Sequence, residues 1–186
     1  KSASSRNQFN HRVACYRIGF YLIKNFFPQY APLLHHLRDI NTRNLGIPLS
    51  WIYRILLHLP ENAGRDEILE MAGSRDVLGF LENHEPPQDG GYPIRGVVLF
   101  GLAECERARL YSEFLKSGKM KEIGKMMNVS HDGDRVSRFF ENGLEVPFSA
   151  PVSNSYLLNL MEDLESGDIE RVERAQLYWQ PGSYHC

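Results

Sequence analysis

Apolar residues in this chain recur mostly at steps of three and four, the spacing that places them on one face of an α-helix. Over residues 13–27 they lie nearly all round, broken by Arg17, Lys24 and Asn25, which predicts a mostly buried helix ended by Pro28. Trp51, Ile52, Ile55, Leu56 and Leu59 form a stripe that predicts a second helix, and shorter helices are expected over 66–72 and 75–81. A turn-rich gap with Pro86, Pro87, Gly90 and Gly91 follows. The longest helix is expected over 94–116, where Ile94, Val98, Leu102, Cys105, Ala108, Tyr111 and Leu115 make one continuous stripe. Gly118 is placed to end it in the left-handed conformation, and Met120, Ile123 and Met127 predict a short return helix. Strand alternation is weak throughout, with 144–148 the best candidate. The expected fold is therefore mainly α, with little strand.

One pattern occurs twice. Leu115-Lys-Ser-Gly-Lys-Met-Lys-Glu-Ile123 is echoed by Leu164-Glu-Ser-Gly-Asp-Ile-Glu-Arg-Val172, each after an amphipathic helix. Two copies do not make a solenoid, and the echo reads as shared turn chemistry in two helical hairpins.

Composition narrows the class without naming it. A length of 186 residues, 42% apolar and 24% charged, supports one domain with a hydrophobic core, or two small ones. A net charge of −2 gives no global attraction for nucleic acid, and the longest uncharged apolar run, 97–103, is too short to cross a bilayer. Cys15, Cys105 and Cys186 are widely spaced and odd in number, which suggests free buried thiols in a reducing compartment. The sequon Asn128-Val129-Ser130 reads as a helix-end sequence.

Candidate chemistry is sparse. Ser130, His131 and Asp132 are adjacent, so they point in different directions and are expected to cap a helix end, not to form a triad. Asp132-Gly133-Asp134 has Gly143 where a calcium loop needs its closing glutamate, and the histidines lack i, i+4 ligand spacing, so no metal is expected. Glu104 and Arg107 sit three apart on one helix face, the spacing of a structural ion pair. Arg107, Arg109, Lys116, Lys119, Lys121 and Lys125 are interleaved with glutamates and read as a solvated face.

The segment from Gly101 to Arg135 nonetheless carries an ordered set: Glu104 and Arg107, Leu115, Gly118, Gly124, Met126, Met127, Ser130 and His131. It resembles a segment of galactokinases, which belong to the GHMP small-molecule kinases. Residues 1–12, KSASSRNQFNHR, and Leu37-Arg38-Asp39-Ile40 resemble two more segments of that family. The resemblance covers 1–40 and 94–135; residues 41–92 and 136–176 are expected to be insertions. Gln180 to Cys186 is similar to the start of a late family helix.

The resemblance implies that this chain is one incomplete helical portion of an α+β kinase. The whole protein would use ATP and Mg²⁺ to phosphorylate a sugar or sugar-acid hydroxyl, in the cytoplasm. Its Gly-Leu-Ser-Ser-Ser phosphate loop and catalytic Asp would lie upstream. Lys1 falls on a basic position near the transferred phosphate, where a cation stabilises spreading charge. Phe9 falls on the position of a sugar-contacting tyrosine, with Arg12 after it. Phenylalanine cannot make the tyrosine's hydrogen bond, which implies a changed substrate or a lost activity. The expected partners are sugar, ATP and the remainder of the kinase fold, with no nucleic acid and no membrane. A non-catalytic helical interaction module, or pseudokinase, is the alternative.

Overall fold

The computed structural model describes residues 3–87 and 91–183, and within them the chain is mainly helical. The first helix, α1 (Ala3–Phe26), starts well before the apolar pattern that predicted it. Its early residues are polar and show no stripe, but their side chains are used by the fold. Asn10 Nδ2 donates to the Asn83 carbonyl (3.0 Å), and Asn7 Oδ1 accepts from the Glu85 amide (2.9 Å). Bonds of this kind do not register in hydrophobic spacing. Pro28 follows the helix end as expected.

After 3-10 turns at Ala31–Leu33 and Leu37–Asp39 come α2 (Thr42–Leu45), α3 (Leu49–Leu57) and α4 (Arg65–Ala72). Asn41 starts α2 by accepting the Arg43 and Asn44 amides at 3.1 and 2.9 Å. The helix expected over 75–81 is divided: Arg75–Val77 is a 3-10 turn and only Leu78–Leu81 (α5) is α-helical. Its single buried α-helical residue, Leu81, gives it little to extend around.

The helix expected to be the longest is observed with its expected bounds, α6 (Ile94–Lys116, 23 residues), but α1, extended by its polar first turns, is longer at 24 residues. From α6 the chain leads through Gly118 to α7 (Met120–Gly133). A two-stranded ribbon, β1 (Ser137–Phe139) and β2 (Glu145–Pro147), pairs Arg138 with Val146. The second strand lies inside the predicted 144–148. Finally α8 (Asn154–Glu165) and α9 (Ile169–Arg174) form a hairpin, followed by a 3-10 turn at Leu177–Trp179. The two echoed turns behave alike: Gly118 and Gly167 have φ of +69° and +71°, a region that glycine enters without a Cβ clash.

The core lies between α1 and α6, which run antiparallel, and extends over α3, α4 and α8. Ile18, Leu22 and Ile23 of α1 share one apolar cluster with Val97, Val98 and Leu99 of α6, and Ile52, Ile55 and Leu56 of α3 share it with Leu157 of α8. Two glycines let α1 and α6 approach closely. A Cβ on Gly19 would strike Val98, and one on Gly101 would strike the Tyr16 ring. A smaller cluster, Leu110, Ile123 and Met126, closes the α6–α7 hairpin.

The packed face of α6 departs from its predicted stripe. Ile94, Val98 and Leu102 are buried as expected, but Cys105 and Ala108 are exposed and Leu115 is 57% exposed. Ala103, Arg107 and Leu110 are buried instead. The first half of α6 is enclosed on nearly every side, so any stripe there is buried. In the second half only the face toward α7 and the 177–179 turn is covered, one residue around from the predicted one.

Candidate functional site

Of the two residues placed in the active cleft by resemblance, Lys1 lies outside the described residues. Phe9 is 58% exposed on the early part of α1, so it belongs to no core. Nearby on the same helix, α1 holds residues 83–85 through a compact polar cluster. The His11 and His84 rings meet edge-on at 4.7 Å, and His84 meets Tyr92 at 5.6 Å. His84 Nδ1 lies 2.6 Å from Asn83 Oδ1, an acceptor, which places the ring proton on Nδ1. Its Nε2 then accepts from the Tyr92 hydroxyl (2.8 Å), which itself accepts from Arg65 Nε (3.3 Å). Arg65 Nη2 also donates to the Leu81 and His84 carbonyls at 2.5 and 2.9 Å.

This arrangement keeps His84 neutral. Burial, then the nearby His11 and Arg65 charges, push its pKa down to about 4. A neutral imidazole with both nitrogens engaged is suited to holding the 83–85 segment against α1.

Two arginines of α6 organise the opposite side. Arg95, 4% exposed, donates through Nε and Nη2 to the Leu59 carbonyl (2.9 and 2.7 Å) and through Nη1 to Val152 O and Glu61 Oε1 (both 3.1 Å). Burial lowers its pKa, and the Glu61 charge opposes that shift. Arg107, fully buried, bonds Glu104 Oε1 through Nε at 2.6 Å and donates through Nη1 to the Tyr178 and Gln180 carbonyls, each at 3.0 Å. The expected Glu104–Arg107 ion pair is thus present, and it holds the 177–180 segment onto α6. Of the basic residues read as a solvated face, Arg107 is the exception. Arg109 fits that expectation, paired with Glu106 and Glu113.

The uncovered side of α6 forms a cleft of about 520 Å³ with the 38–43 turn. Leu102, Cys105 and Ala108 make its floor, Leu177 closes one end, and Arg38, Arg43 and Arg109 stand around it. Its two carboxylates are already engaged. Asp39 Oδ2 accepts the His35 and His36 amides at 2.8 and 2.7 Å, and Glu106 is bidentate with Arg109. Burial alone would raise the Asp39 pKa, but those two amides and the His36 and Arg38 charges together hold it below the ordinary value. Burial pushes the Cys105 thiol up; the Arg38 charge pulls it the other way, and the Glu104 and Glu106 charges add to the rise. A second hollow of about 160 Å³ continues the groove, sharing Asn41, Thr42, Glu106 and Leu177. The apolar floor was visible in the sequence as part of a helical stripe, but spacing alone assigned it to the core.

The remaining sequence candidates do not converge on a centre. Ser130, His131 and Asp132 occupy the last turn of α7, where Asp132 pairs with Arg135 at 3.0 Å instead of capping the helix. Among the described residues no group of three or more His, Cys, Asp or Glu is placed to hold a metal ion. Cys15 is buried as expected, Cys105 is exposed contrary to expectation, and Cys186 lies outside the described residues. Residues 180–183 are non-helical, and the rest of the late motif, 184–186, lies outside the described part. Among the described residues no helix is long and apolar enough to cross a membrane. No family model, curated protein or solved structure matches the chain.

Proposed function

We propose that this chain is the helical middle-to-late portion of a galactokinase-type GHMP kinase that phosphorylates a sugar or sugar acid other than galactose in the cytoplasm. The observation that carries the reading is the ordered motif set over 1–40 and 101–135. Two structural features are consistent with it. Phe9 is solvent-exposed on α1, and Glu104 and Arg107 are paired on α6. ATP and Mg²⁺ are assigned to the remainder of that kinase, because no glycine- and serine-rich loop precedes a helix among the described residues. The part this chain plays is to present Phe9 on α1, which is braced by α6 and by the His11–His84–Tyr92 cluster.

The test is a panel of sugars assayed with wild type and Phe9→Tyr in the full-length protein. A phenol restores one directed hydrogen bond, worth about 1 kcal/mol between neutral partners, so relative efficiencies among sugars should shift several-fold. Stability should be unchanged, since Phe9 is exposed. An unaltered sugar ranking removes Phe9 from the site. The alternative, a non-catalytic interaction module, is favoured by the missing hydroxyl at Phe9 and by the apolar side chains displayed around the ribbon. Val136, Phe139, Phe140 and Leu144 are each more than half exposed there.

A further inference from the structure

We propose that the cleft between the 38–43 turn and the uncovered face of α6 binds a phosphate monoester with an aromatic or apolar body, the anion held by Arg38 and Arg43. This site is independent of the kinase reading and of Lys1 and Phe9. The strongest observation is the mismatch between sequence and packing on α6. Leu102, Cys105 and Ala108 have the spacing of a buried stripe, yet the fold leaves Cys105 and Ala108 exposed as the floor of a hollow. A volume of about 520 Å³ matches a small-molecule site, and the floor supplies the apolar surface such sites use.

Charge selects the ligand class. Three arginines face two carboxylates in the lining, on a chain whose net charge is −2. Asp39 is satisfied by two backbone amides, and Glu106 is taken up by Arg109. Arg38 and Arg43 are exposed; the Arg38 charge acts on neighbouring Asp39, but among the described residues neither guanidinium is in an ion pair as Arg109 is with Glu106. Guanidinium forks match phosphate oxygens bidentately, and Thr42 on the same turn adds a neutral polar group. A neutral apolar ligand would leave that charge unused, and a bare anion would leave the floor uncovered.

Cys105 is a built-in reporter. Its alkylation by iodoacetamide, a neutral reagent, is followed on the Cys105 peptide by mass spectrometry, with phenyl phosphate, inorganic phosphate or phenol present. Phenyl phosphate should protect saturably, slowing alkylation about tenfold near ten times its dissociation constant. Phosphate should protect more weakly, and phenol or equal ionic strength of sodium chloride should not protect. Arg38→Gln with Arg43→Gln should weaken phenyl phosphate binding at least about tenfold, as loss of charged hydrogen bonds implies. The melting temperature should be unchanged, and Arg38→Lys should retain part of the binding. Protection by AMP at lower concentration than by a hexose 6-phosphate would support the role given to the floor; the reverse order would contradict it. The proposal is overturned by no saturable protection at millimolar phenyl phosphate, by equal protection from phenol, or by full protection in the double variant.

Discussion

Arg107 and Arg109 stand two residues apart on α6 and do opposite work. Arg109 lies near the surface between Glu106 and Glu113, where water and salt screen the attraction. Arg107 is fully buried and supplies donors to two carbonyls of the following segment. Arg107→Ala should therefore cost about 3 kcal/mol, since each orphaned buried acceptor costs roughly 1–3 kcal/mol. Arg109→Ala should cost below about 1 kcal/mol. Urea denaturation of both variants checks this, and equal losses would contradict the assignment of Arg107 as an anchor. His84 makes a second residue-level prediction. Its folded pKa of about 4 lies below the ordinary 6.5, so between those values the unfolded chain binds more protons. The stability from the neutral ring is complete above 6.5 and drains away as pH falls toward 4. His84→Gln, which does not titrate, should flatten the decline in melting temperature between pH 7 and pH 5. Parallel profiles for variant and wild type would show that the ring is not held neutral.

At the scale of elements, hydrophobic spacing located α3, α4 and α6, and the glycine stop after α6 was legible as a positive-φ residue. Three features were not legible, each for a physical reason. The early part of α1 is held by amide and imidazole bonds to residues 83–85, and polar partners distant in sequence leave no local pattern. The first strand, Ser137–Phe139, is too short and too exposed to alternate convincingly. The covered face of late α6 is set by α7 and the 177–179 turn, so periodicity could find the helix but not the side the fold would bury. For the same reason the cleft was hidden: its floor residues were visible, but their exposure was not. The buried arginines were half legible. Glu104–Arg107 announced itself by i, i+3 spacing, whereas Arg95 depends on carbonyls from residues 57–59 and 152. An arginine inside an otherwise apolar run, Ile94 to Ala103, was the available signal.

At the scale of the molecule, the chain is a helical body whose central pair, α1 and α6, is tied to its periphery by a few polar anchors. Arg95 fixes the end of α3, Arg107 fixes the 177–180 segment, and the His84 cluster fixes the stretch before residue 88. Such a body suits the proposed role of bracing one wall of a kinase cleft. The catalytic electrostatics of phosphoryl transfer require a phosphate loop and a carboxylate that the resemblance assigns elsewhere. Sugar-dependent ADP formation, compared between residues 1–186 alone and the full-length protein, is the most direct measurement. No ADP is expected from residues 1–186, turnover of at least one sugar or sugar acid is expected from the full-length protein, and Lys1→Ala should lose about 100-fold or more. Turnover by residues 1–186, its absence from the full-length protein across the sugar panel, or an unchanged rate in Lys1→Ala would contradict the proposed kinase role.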